Sequence, residues 1–335
     1  MAKPITEQPA RTKPAAAGPA AAGPTAAGPT AAEPTANVLA EAVAERRGRD
    51  VVSFGPGWIT GAAAVWIAAT IACFAVAVYA LGPMLQNNAQ RAALRDIQSQ
   101  MSKALGESQS LLGAAPVTKP AEFGSPVAVL QIPKLKVQQV VIEGVSPSET
   151  ASGPGHVPGT SGLGQPGNAA VVGRYSGYGA PFADLGTLAV GDEIVVATTE
   201  GKSVYRVTDT ARRALDPDTD YAKPDNDRLT LVTSRSWWPL ATQEATVVTA
   251  VLEGKPFRPT PQNGRAAAQD GRSGDPAGWP LLILALGGFV AVGFGATYLY
   301  RRWRTVSTYV ITGPALVALT VIAAMAVWRL LPAWA

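Results

Sequence analysis

Charge, cysteine and histidine are all scarce in this chain. Charged residues make up 16% of its 335 positions and hydrophobic residues 47%. An imbalance of that size points to segments that live in a membrane. The single cysteine, Cys73, rules out an intramolecular disulfide. It lies inside an apolar run, so it reads as a small packing residue rather than a solvent-side nucleophile. The single histidine is His156. The sequence carries no phosphate-binding loop, no His/Cys metal cluster and no dinucleotide fingerprint, so no cofactor is expected. A formal net charge of +4 accompanies these features. No basic stripe with interleaved aromatics appears, which gives a nucleic-acid partner little support.

Three uncharged apolar runs are present: residues 59–81, 279–300 and 306–328. Each is long enough to cross a ~30 Å hydrocarbon core as a helix, with membrane lipid as its surroundings. The first starts too late and runs too long for a simple secretory h-region, so it reads as an uncleaved anchor. Arg46, Arg47 and Arg49 precede it, and Arg301, Arg302 and Arg304 lie between the second and third runs. Basic flanks favour the cytoplasmic side. The expected topology is a multi-pass protein of the cytoplasmic membrane, with its N-terminus inside and the stretch between the first two spans outside.

The rest of the chain divides by composition. Residues 1–57 open with a repeat, Ala-Ala-Gly-Pro-Thr at 21–25 and 26–30 and Ala-Ala-Glu-Pro-Thr at 31–35, too rich in Pro and Gly to pack. A disordered cytoplasmic tail is expected there, followed by the first span at 58–82. Residues 83–126 read as a helical stalk and hinge. Leu94, Ile97, Met101 and Leu105 form one apolar stripe on the helix over 84–112, which either pairs two copies or packs on the exported part. Residues 127–254 hold many short strands, with a hairpin across Glu200 and Gly201 and one short helix over 180–188. That pattern predicts a mainly β domain closed into a barrel, because closure removes sticky edges. A flexible linker over 255–278, a span at 279–300, a basic cytoplasmic turn at 301–305 and a last span at 306–331 complete the division. Gly287, Gly288, Gly293 and Gly295 offer small-residue faces for helix association.

The central stretch is Leu229-Thr230-Leu231-Val232-Thr233-Ser234, a buried strand ending in a small hydroxyl residue. It resembles the strand of sortases that ends in Thr-Cys. Other stretches resemble the same family, in its order: Leu130-Gln131-Ile132-Pro133, Gly153-Pro154-Gly155-His156, Gln165 through Gly173, Tyr178 through Leu185, and Gly191-Asp192-Glu193-Ile194. The similarity is greatest to the actinobacterial class E type and spans residues 127–253. It implies a sortase-like barrel. It also implies a reaction in which a Cys attacks a Thr–Gly carbonyl in a sorting signal, a His moves the proton and an Arg steadies the oxyanion.

All three positions depart from that pattern. Arg174 stands where the His is expected, and a guanidinium cannot act as a general base. Ser234 replaces the Cys, and a hydroxyl needs a base to attack. Ala245, or Gln243 with a small gap, stands where the Arg is expected, and neither is cationic. The leading expectation is therefore a sortase-fold pseudoenzyme at the cell envelope, holding a secreted or cell-wall peptide, an active sortase or an envelope complex. The alternative is a divergent transpeptidase or hydrolase that uses Ser234, with His156 as its base or Arg235 at its oxyanion. Arg174 binds a carboxylate, makes an ordinary salt bridge or is exposed. Tyr175, Trp237 and Trp238 join His156, Arg174, Ser234 and Arg235 as candidate groove contacts, the two indoles serving as peptide contacts, a barrel lid or an interfacial anchor. Self-association is expected, if at all, through residues 84–112 or the C-terminal spans. Asp216, Asp218, Asp220, Asp225 and Asp227 form an acidic loop that reads as solvated, since it lacks the Gly and Glu of a calcium-hand loop.

Overall fold

Strands that are apolar on both faces need cover inside and outside a barrel, and this chain supplies both. The structure is a computed structural model that describes residues 67–108, 119–224, 226–234, 244–265, 269–300 and 305–334. The expected tail at 1–57, the start of the first span and the basic turn at 301–304 lie outside the described residues.

Eight strands close into one barrel: β1 (Pro126–Ile132), β2 (Val137–Glu143), β3 (Gly155–His156), β4 (Asn168–Val172), β5 (Glu193–Thr198), β6 (Gly201–Ala214), β7 (Arg228–Ser234) and β8 (Glu244–Glu253). Their order around the wall is β1-β2-β3-β4-β7-β8-β6-β5, and β5 pairs back to β1. The parallel pairs are β2 with β3 and β4 with β7. The hairpin turns where the sequence places it, with Thr198 opposite Gly201. Alternation sends Ala128, Leu130, Ile132, Ala169, Val171, Leu229, Leu231, Val248 and Ala250 into one inner core with Phe182 and Tyr205.

The outer faces are covered in two places. Helical residues 67–76 pass through a π-helical turn at Ala77–Leu81 into the long helix α1 (Gly82–Ser108). Pro83, next to that turn, removes one N–H from the helical ladder, which accounts for the local shift in register. Ala93, Leu94, Ile97 and Met101 of α1 pack on Val129, Val140 and Ile142, the outer face of β1 and β2. Gln90 supports the same contact: its amide donates to the carbonyls of Val140 (3.0 Å) and Ser152 (2.7 Å) and accepts from the Val140 N–H (2.7 Å). The stripe on α1 thus serves the barrel. The second outer face, formed by β4, β7 and β8, is covered from the other end of the chain.

Two expectations change. Residues 180–188 form turns and a single 3-10 turn at Leu185–Thr187 instead of a helix. Positive φ at Gly177, Tyr178, Gly179 and Ala180, followed by Pro181, gives a backbone that no right-handed helix can start from. The segment after β8 is a strap rather than a free linker. Phe257 N–H donates to Gly164 O (2.8 Å), Thr260 N–H to Gln165 Oε1 (3.0 Å) and Asn263 Nδ2 to Glu143 Oε1 (2.8 Å). Backbone groups near a barrel need partners, and these side chains supply them.

Three helices are long and apolar enough to cross a membrane: Ile67–Gly106, Gly278–Leu299 and Val310–Leu330. The latter two belong to α4 (Gly278–Tyr300) and α5 (Thr305–Leu330), once the short helices α2 (Pro147–Ser152) and α3 (Pro217–Asp220) are counted in chain order. Gly288 lets Leu319 approach closely, whereas Gly287, Gly293 and Gly295 face open space.

Ile97 is fully buried against the barrel while Leu105, on the same helix, is 66% exposed. Replacing a buried Ile by Ala costs about 2–5 kcal/mol, and an exposed site about 0.5 kcal/mol or less. Ile97→Ala is therefore expected to lower the unfolding midpoint of the detergent-solubilised chain clearly, and Leu105→Ala to leave it near the parent value. Equal effects would show that α1 does not brace the barrel.

Candidate functional site

The candidate site forms where β4, β7 and β8 run side by side. Val172 of β4 is opposite Val232 of β7, and Gly173 N–H donates to Val232 O (3.0 Å). Ser234 ends β7 and pairs with Ala245 of β8. Arg174 follows β4 two residues beyond Val172, so the three positions singled out from the sequence form a row at the ends of neighbouring strands. A Cβ at Gly173 would lie 2.3 Å from the Phe182 ring, so glycine is needed there.

Arg174 is neither exposed nor set opposite a carboxylate among the contacts described. It is 1% exposed, its Nη2 donates to Pro147 O (2.8 Å), and its guanidinium lies 5.1 Å from the Tyr178 ring centre and 5.4 Å from that of Trp328. The two rings meet edge to face at 5.8 Å. Burial lowers the Arg174 guanidinium to about 10, which still leaves it protonated at neutral pH. A cation clasped by two aromatic faces is held firmly and has no free lone pair to act as a base. Trp328 belongs to α5, so Arg174 is tied to the last apolar helix. A cavity of about 350 Å³ lies behind it, bordered by Arg174, Tyr178, Leu284, Met325 and Trp328.

Ser234 is 0% exposed, and so is Ala245. Ala245 belongs to an apolar cluster on this outer face. Ala170, Val172, Val232, Ala245 and Val247 pack with Val145, Val157, Leu215, Tyr221 and Trp334. Trp334, which follows α5, is 1% exposed, and its carbonyl accepts from Tyr175 N–H (3.1 Å). Gly271 adds cover, as a Cβ there would lie 3.0 Å from Val172. The Trp334 indole N–H finds no partner among the described residues, an omission that costs about 1–3 kcal/mol.

His156 is also buried, on β3. Its Nδ1 meets Glu143 Oε2 at 2.7 Å, and its Nε2 meets Ser161 O at 2.9 Å and Thr160 Oγ1 at 3.1 Å. Both ring nitrogens are thus committed to local partners, and Ser234 is not among them. His156 holds the loop at 156–161, and a cavity of about 250 Å³ opens beside it next to Gln165 and Gln262. The acidic loop is structured too. Asp216 caps α3 by accepting from Asp218 N–H, and Asp220, 6% exposed, pairs with Arg213. Among the described residues no cluster of His, Cys, Asp or Glu could hold a metal ion. Arg235, Trp237, Trp238, Gln243 and Asp225 lie outside the described residues.

Sequence reasoning missed Tyr178, Trp328 and Trp334. Nothing near Trp328 or Trp334 in the sequence points to the barrel. The available signal was the odd number of apolar runs, which returns the end of the third to the side of the barrel.

Comparison with known proteins follows the same lines. A profile described as the Sortase domain matches residues 130–253. The structure of sortase E from Streptomyces avermitilis is 30% identical, with 41% of this chain and 93% of that one covered and a TM-score of 0.35. A sortase from Corynebacterium diphtheriae is 27% identical, with 46% and 97% covered and a TM-score of 0.37. A Clostridium perfringens sortase D5 transpeptidase is 19% identical, with 50% and 99% covered and a TM-score of 0.41. No curated protein matches the chain significantly.

Lysine cannot reproduce the flat guanidinium between two rings. Arg174→Lys is expected to lose about 1–2 kcal/mol of stability, the scale of a desolvated cation–π contact with its hydrogen bond. Chemical unfolding followed by tryptophan fluorescence checks this. An unchanged midpoint would mean that the stack contributes nothing.

Proposed function

The chain belongs to the sortase family through residues 130–253, and we propose that it is a membrane-anchored member whose barrel binds peptide or protein partners at the outer face of the cytoplasmic membrane without catalysing transpeptidation. The observation that carries this reading is the row Arg174, Ser234 and Ala245. A permanently protonated arginine occupies the position of the base, a hydroxyl that of the thiol, and a methyl group that of the oxyanion cation. Proton transfer, nucleophilic attack and oxyanion stabilisation each lose their side chain. His156 offers no rescue, because both its nitrogens are engaged away from Ser234. The outer face of β4, β7 and β8 is apolar and is buried under the chain's own Val145, Val157, Tyr221 and Trp334.

The three apolar helices supply the anchor. With basic residues at 46–49 and 301–304 inside, the barrel and the segment after α5 share the outer side. The partner class that fits is a secreted or cell-wall peptide, an active sortase or an envelope complex.

Turnover of a fluorescence-quenched sorting-signal peptide tests the reading. The full chain in detergent is expected to give no cleavage above background, and Ser234→Ala no less than the parent. Cleavage that vanishes in Ser234→Ala would replace this proposal with a serine-dependent transpeptidase or hydrolase. The orientation has its own check: alkaline phosphatase joined after residue 265 is expected to be active, and joined after residue 302 inactive. The opposite pattern would place the barrel in the cytoplasm.

A further inference from the structure

The cavity of about 350 Å³ beside Arg174 changes character along its length. At the barrel end it is bordered by the Arg174 guanidinium, the exposed Ser148 of α2 and the exposed Arg329 near the end of α5. Among the described residues that border it, none is acidic. Away from the barrel its walls are apolar. Ile322, Met325 and Trp328 are spaced three residues apart on α5 and form one stripe, with Arg329 following at the barrel end. The start of α4 lies against the end of α5, since a Cβ at Gly278 would lie 2.8 Å from Ala326 O, and Leu281 and Leu284 continue the apolar wall from there. Leu284 is 64% exposed and Met325 43% exposed, so the apolar end opens outward between the two helices.

We propose that this cavity binds one anionic glycerophospholipid, with its phosphate held by Arg174 and Arg329 and its chains lying along Leu284, Met325 and Ile322. Guanidinium groups suit phosphate oxygens, and Arg174 supplies a fixed charge from the wall while Arg329 supplies a flexible fork at the mouth. Both helices are long and apolar enough to cross a membrane, and the cationic end of the cavity lies at their barrel-side ends, the level at which headgroups sit. Trp328 and Tyr178 flank the cavity there, as amphipathic rings do at a membrane interface. The inference rests on the reading of the apolar helices as membrane spans. It adds a lipid that seats the barrel on the bilayer at Arg174, whatever partner the barrel binds.

Native mass spectrometry of the full chain in mild detergent tests this. Titration with phosphatidylglycerol is expected to saturate at a single tightly held lipid per chain. Phosphatidylcholine, which offers the chains without the net charge, is expected to bind roughly tenfold more weakly. Glycerol phosphate, which offers the charge without the chains, is expected not to compete at the same concentration. Arg329→Gln removes a charge and Leu284→Trp fills the apolar end, and each is expected to weaken phosphatidylglycerol binding roughly tenfold. Arg329→Lys is expected to lose less. Leu286→Trp, on the same helix, 54% exposed and away from the cavity, is expected to bind as the parent does. Arg329 and Leu284 are exposed, so the lipid-free unfolding midpoints of these variants are expected near that of the parent, which separates loss of the site from loss of folding. Equal binding of the two lipids, displacement by glycerol phosphate, or parent-like affinity in both Arg329→Gln and Leu284→Trp would overturn the proposal. The readout involves neither cleavage nor orientation. Peptide turnover or a reversed phosphatase pattern would therefore remove the earlier reading without deciding this one.

Discussion

The structure depends on one constraint: strands whose two faces are both apolar must be covered on both. A small barrel fills its inner side with its own side chains, but its outer side is left to the rest of the chain. In this protein Leu229 and Leu231 look inward from β7, while Val232 looks outward. The same holds for Ala169 and Val171 against Ala170 and Val172 on β4. Leaving those outer groups wet would forfeit roughly 25 cal/mol for each Å² of apolar surface. The segments that appear to be accessories in the sequence are the cover. Helix α1 lies on β1 and β2, and the chain beyond α5 lies on β4, β7 and β8.

That division of labour joins the C-terminal apolar helices to the barrel beside Arg174. Arg174 illustrates the exchange. Its flat cationic face lies over both Tyr178 and Trp328 and holds the two rings together. Such a site is well suited to holding two parts of a chain in register and poorly suited to acid–base work. His156 shows the complementary case: a group capable of acid–base chemistry is locked between Glu143 and the 156–161 loop.

Several elements could be read in the sequence because their cause is local. Strand alternation, the Glu200–Gly201 turn, the apolar runs and the stripe on α1 depend on neighbours within a few residues, so spacing reveals them. Ser234 and Ala245, picked out through resemblance to a known pattern, are paired by the strand register, while Arg174 follows the end of β4. The helix expected over 180–188 failed because its start is governed by positive φ at Tyr178 and Ala180, which depends on how Gly82, Gln86 and Trp328 crowd that loop. The supposed linker after β8 failed for a related reason: a Pro- and Gly-rich stretch resembles a spacer whether or not a surface is present to bind it.

The sequence by itself determined that this is a sortase-type barrel with three apolar helices long enough to cross a membrane, since each of these follows from residue identity and short-range order. Only the tertiary structure decided that the stripe on α1 packs on β1 and β2. It also decided that Arg174 is stacked and buried, and that Trp334 covers the face beside Ser234. These are contacts between residues far apart in the chain, and apolar surface has no directional code. A tryptophan near a membrane span is equally at home in lipid headgroups or on a barrel wall, and the choice is made by whichever apolar face the folded chain brings within its reach.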